Sequence, residues 1–85
     1  MSKTLVYKTK GTCSREITVT VEGDVIESVS FFGGCNGNLQ GISALVKGRR
    51  IDEVIPILEG IKCGFKNTSC PDQLAKALAA IKAAD

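Results

Sequence analysis

The chain has 85 residues, 44% of them apolar and 24% charged, with a formal net charge of +2. That is the composition of one soluble globular domain, residues 1–85, with chain enough for a single modest core. The few aromatics (Tyr7, Phe31, Phe32 and Phe65) and the scattered basic residues argue against a nucleic-acid platform, and no apolar run is long enough for a secretion signal or a membrane span, so the expected compartment is the cytosol.

Thr4 to Thr9 (TLVYKT) reads as a first strand, broken by Lys10-Gly11-Thr12 ahead of Cys13. Glu16 to Glu22 (EITVTVE) alternates, with Ile17, Val19 and Val21 on one side and Thr18 and Thr20 on the other. Gly23-Asp24 is a hairpin turn, because glycine takes positive φ without a steric penalty. Val25 to Phe32 (VIESVSFF) returns as a third strand in which Val25, Val29 and Phe31 share a parity that Glu27 interrupts.

After the loop GGCNGN, Asn36 or Asn38 is placed to cap a helix running through Lys47, with Leu39, Ile42, Leu45 and Val46 as its buried stripe and Gly48 as its stop. Ile51 to Leu58 forms a shorter helix in which Pro56 should bend or end the segment. Glu59 to Asn67 is a loop carrying Cys63. The last helix starts around Pro71 and runs to about Ala83 on a stripe of Leu74, Leu78 and Ile81, with Ser69 and Asp72 at capping-box spacing. Strands first and helices after predict an α+β fold, a three-stranded antiparallel meander followed by three helices packed on one face of the sheet. Lys47 to Arg50 (KGRR) is the one basic cluster, and it reads as a solvated helix end.

Cys13, Cys35, Cys63 and Cys70 all fall in or beside loops. A cysteine used as a small hydrophobe belongs on an apolar stripe. None of the four lies on one, although Cys63, flanked by Ile61 and Phe65, comes nearest. Cys35 and Cys70 sit where helices start, a position that favours charged sulfur. Four thiolates match the ligand count of a structural Zn²⁺ site or an iron–sulfur cluster, and soft sulfur disfavours Mg²⁺ and Ca²⁺. Their wide spacing contains no Cys-x-x-Cys knuckle. Thiol–disulfide exchange is the competing use. No histidine, phosphate loop or dinucleotide fingerprint is present, so no hydrolase constellation can be assembled, and a lone nucleophilic Cys70 at its helix start is the catalytic alternative.

The stretch TSCPD (Thr68 to Asp72), together with GGCNGNLQGIS, CGFKNTSCPDQLA and Cys13, resembles the TSCPD-domain family in its short, four-cysteine form. TSCPD domains also occur attached to adenosylcobalamin-dependent ribonucleotide reductases. The resemblance therefore implies a link to deoxynucleotide synthesis, with a reductase subunit as the expected partner. It does not imply a complete reductase, because 85 residues hold neither a radical-generating cofactor site nor a nucleotide pocket. The layout is also similar to iron–sulfur cluster scaffolds of the NifU amino-terminal type. That resemblance implies Cys13, Cys35 and Cys70 as cluster ligands, with Cys63 as an addition. The chain departs from the scaffolds at Arg15, where they have Asp, and at Ser69, where they have His.

Overall fold

A computed structural model describes residues 2–11, 14–33, 36–64 and 66–83. Three strands, β1 (Ser2–Lys8), β2 (Ser14–Glu22) and β3 (Val25–Gly33), precede three helices, α1 (Asn36–Val46), α2 (Ile51–Leu58) and α3 (Cys70–Ala83). The strands form one antiparallel sheet in the order β1-β2-β3, and the predicted α+β architecture is the observed one.

Alternation in β2 sets the layers. Ile17, Val19 and Val21 are buried, and they meet Leu74, Ala77, Leu78 and Ile81 of α3 and Val46, Ile51 and Val54 of the other helices in one core. The fully buried Ile17, Ile26, Leu74, Leu78 and Ile81 each contribute roughly 1.5–3 kcal/mol from removal of apolar surface from water. The opposite face carries hydroxyls, with Thr4 and Thr20 hydrogen bonded at 3.0 Å. An antiparallel sheet can leave one polar face to water.

The expected parity of β3 needs correction at its start. Ile26, not Val25, enters the core, and Val25 is 39% exposed. The pairs Val21↔Ile26 and Thr20↔Ser28 leave Glu27 as the extra residue of a β-bulge, so the side-chain alternation changes phase there. Beyond it Val29 and Phe31 face inward as expected.

The helices bring three further adjustments. Asn36 and Asn38 both lie inside α1, so neither precedes it as a cap. Leu39 and Val46 are buried and Ile42 is half-buried, whereas Leu45 is 70% exposed and leaves the expected stripe. At 3.6 residues per turn Leu45 lies about 120° around the helix from Leu39, twice as far as Ile42. Pro56 does not end α2, which continues to Leu58 and closes with Glu59 N–H donating to the Ile55 carbonyl at 2.9 Å.

The hairpin end is tied by backbone. Ile26 N–H donates to the Arg49 carbonyl at 2.8 Å, Gly48 N–H donates to the Ile26 carbonyl at 2.8 Å, and Ile51 N–H donates to the Asp24 carbonyl at 2.8 Å. Gly48 has φ +84°, which glycine adopts freely. The KGRR cluster is an exposed helix end: Arg49 Nε donates to the Leu45 carbonyl, and Arg50 stands 3.9 Å from Asp24. Among the described residues no helix is long and apolar enough to cross a membrane.

Candidate metal centre at the start of α3

Polar residues hold the loop before α3 in place. Thr68, Ser69, Asp72 and Gln73 are all buried. Ser69 caps α3, its Oγ accepting the Asp72 N–H at 3.1 Å and donating to the Ile61 carbonyl at 2.6 Å. This is half of the expected capping box. The Asp72 carboxylate completes a different set, accepting the Thr68 hydroxyl and the Gly60 N–H, the latter at 2.7 Å. Gly60 has φ +84°, so glycine suits the turn that presents this N–H. The Thr68 hydroxyl, then the Gly60 N–H, hold the Asp72 carboxyl below its ordinary value against an opposing push from burial, and Lys76 adds to the lowering.

Thr68 also accepts Gln73 Nε2 at 2.9 Å, while Gln73 Oε1 accepts the Lys10 N–H at 3.2 Å. Gln73 thus ties the β1–β2 loop to α3. A Cβ added to Gly11, whose φ is +76°, would stand 3.1 Å from the Thr68 methyl, so the two segments touch. Sequence reasoning missed the role of Gln73. The available signal was a polar residue four positions before Ala77 and eight before Ile81, on a face that the helix buries.

The two cysteines of this segment are less buried than the residues that brace it. Cys70, the first residue of α3, is half-exposed and Cys63 is exposed, which removes the reading of Cys63 as a core hydrophobe. Both line one groove of about 470 Å³ between α1 and the start of α3, together with Gly37, Asn38, Ile42 and Leu45. Cys63 N–H donates to the Thr68 carbonyl at 3.2 Å, which closes the loop between the two cysteines.

Cys13 and Cys35 lie outside the described residues. Their chain neighbours do not. Gly11 touches Thr68, Ser14 is the register partner of Gly33, and Gly37 lines the groove with Cys63 and Cys70. Described residues close in sequence to each of the four cysteines therefore meet at the end of the sheet opposite the hairpin. Among the described residues no three Cys, Asp or Glu side chains gather as metal ligands. Two cysteines lining one groove fit a soft, thiolate-binding metal as to donor type.

This is a small α+β domain with a polar-braced loop that presents cysteines at one end of its sheet. The chain belongs to the TSCPD-domain family, whose model matches residues 3–82. No curated protein and no solved structure matches it.

Proposed function

We propose that Cys13, Cys35, Cys63 and Cys70 together hold one Zn²⁺ ion or iron–sulfur cluster, in a module that serves ribonucleotide reductase as an accessory or detached domain. The observation that supports this most is the convergence of Gly11, Ser14, Gly33 and Gly37 with Cys63 and Cys70 at one end of the sheet. The bracing supports it too: Thr68, Ser69 and Asp72 fix the loop and Pro71 suits the first helical turn, and together they place Cys70 on the groove. When bound, the metal would cross-link the β1–β2, β3–α1 and α2–α3 connections. The reductase link rests on family membership.

Metal analysis and an ultraviolet–visible spectrum of protein purified without oxygen test the site. One zinc with no visible absorption, or iron and sulfide with charge-transfer bands, is expected, lost in Cys63→Ser and Cys70→Ser. Metal-free protein with all four thiols reduced would leave thiol–disulfide exchange as the function. Association with reductase subunits, without ribonucleotide turnover by the isolated chain, tests the partner.

A second reading, a cluster-assembly scaffold, is favoured by one observation: Cys63 is exposed and the groove is open. It requires transfer of the assembled cluster to an apo-acceptor, whereas the accessory reading requires its retention.

A further inference from the structure

The free edge of β3 accounts for a feature that the cysteine site does not use. In an antiparallel ladder successive residues point their backbone groups to opposite sides. Ile26 sends its N–H and C=O away from β2, to Arg49 and Gly48, and Val25 bridges Arg50. Residues 48–50 are thus the stub of a fourth strand on β3, and it stops there. Past the bulge the register Thr20↔Ser28, Val19↔Val29, Thr18↔Ser30, Ile17↔Phe31 turns Ser28 and Ser30 toward β2 and Val29 and Phe31 away from it. Among the described residues no strand pairs with this outer half of β3.

The open half faces a groove of about 640 Å³ with Val29, Phe31 and Gly33 on the β3 side and Leu39, Gln40 and Ser43 of α1 on the other. Exposed edges are ordinarily guarded by charge. β1, the other edge, carries Lys3 and Lys8, whereas Ser28 to Gly33 carries no charge at all. The uncharged stretch beyond the Glu27 bulge is the one that a helix walls into a slot.

We propose that this slot binds an extended peptide segment of a partner protein, which continues the ladder begun by residues 48–50 as a fourth, antiparallel strand on β3. The outward N–H and C=O groups of Val29 and Phe31 supply main-chain hydrogen bonds. Alternate apolar side chains of the peptide enter the groove over Val29, Phe31 and Leu39, and Gln40 and Ser43 select small polar neighbours. The occupant is a peptide and not a second copy for reasons of area. Two copies joined along β3 would share only Ser28 to Gly33, far short of the roughly 20–30 residues a side of a stable interface. A peptide lying in the slot meets β3 and α1 together. The proposal is independent of the metal reading.

A random heptapeptide library displayed on phage, panned on the intact protein, supplies the probe, and a selected peptide is then synthesised. Residue-resolved amide exchange reads the result. In the free protein Ser28 and Ser30 are expected to exchange slowly and Val29 and Phe31 fast. With peptide, Val29 and Phe31 are expected to become protected, and the selected sequences to alternate apolar and polar residues. Ser43→Arg, which narrows the slot from an ordinary helix position, is expected to weaken binding about tenfold or more, equivalent to 1.4 kcal/mol per factor of ten. Ile57→Ala on α2 should leave binding unchanged. The proposal is overturned if panning yields no binder, or if binders protect other amides and ignore Ser43→Arg. It is equally overturned if Val29 and Phe31 become protected with rising protein concentration alone, which would make the occupant a second copy.

Discussion

The hairpin at Gly23-Asp24 and the loop ahead of α3 close opposite ends of the same sheet, and different groups hold them. At the hairpin, Asp24, Ile26, Gly48, Arg49 and Ile51 are joined through their main chains. Any side chain that tolerates the backbone geometry could stand at most of these positions. At the other end, the hydroxyls of Thr68 and Ser69, the Asp72 carboxylate and the Gln73 amide tie three stretches of chain together. There the identity of each residue matters, because removing one partner leaves another buried polar group unsatisfied. A recognisable motif occurs at the side-chain-braced end for that reason. The exposed Arg50–Asp24 ion pair at the hairpin end is peripheral by comparison.

If the proposed site holds a metal, this contrast is sharpest when that metal is removed. At metal a thousandfold above its dissociation constant, binding to the folded state stabilises by about 4 kcal/mol. Chelation should lower the melting temperature while the protein stays folded, since the core of Ile17, Val19, Leu74, Leu78 and Ile81 contains no cysteine. Amide protection should fall at Gly60 and Cys63 and persist at Ile26 and Gly48. An unchanged melting temperature after verified metal loss would remove the metal from the stability of this end.

Next in size is Asp72→Ala. It orphans the Gly60 N–H and the Thr68 hydroxyl, at a cost of about 3 kcal/mol, read by chemical denaturation. Asp72→Asn probes the charge. The folded-state pKa of Asp72 is lowered, so its contribution is present above the ordinary aspartate value of about 3.9 and is lost as pH falls through the lower folded value. Melting temperature should therefore drop more steeply with acid in the wild type than in Asp72→Asn. Asp52, also lowered by its bond to Lys82, acts in the same window in both proteins and cancels from the comparison. Equal slopes would show that the Asp72 charge contributes nothing.

Ser69→Ala removes the cap of α3 and should cost about 1–2 kcal/mol. Exchange should quicken at Asp72, whose N–H it satisfies, and not at the hairpin. The smallest effect belongs to Arg50→Ala, whose partner lies 3.9 Å away on an exposed surface. It should change stability by less than about 1 kcal/mol. A larger loss would mean that the hairpin end, too, depends on its side chains.

Much of the architecture was already legible along the chain. The alternation of Ile17, Val19 and Val21, the turn at Gly23-Asp24, the stripe of Leu74, Leu78 and Ile81, and the helix start at Ser69 to Pro71 all follow from local rules, because side-chain period, glycine freedom and capping depend on neighbours a few residues apart. Tertiary structure decided the rest. Val25 or Ile26 could each have entered the core, and the bulge at Glu27 chose Ile26. Leu45 has the spacing of a core residue, yet α1 packs on β3 through Leu39 and Val46, which turns Leu45 toward the groove. Asp72 stood at capping-box spacing from Ser69, yet its carboxylate turned to Gly60, twelve positions away, because the docked loop brought a backbone N–H within reach. The groove shared by Cys63 and Cys70 exists only because α1 and the start of α3 stand side by side over the same sheet, a placement set by packing between segments far apart in the chain.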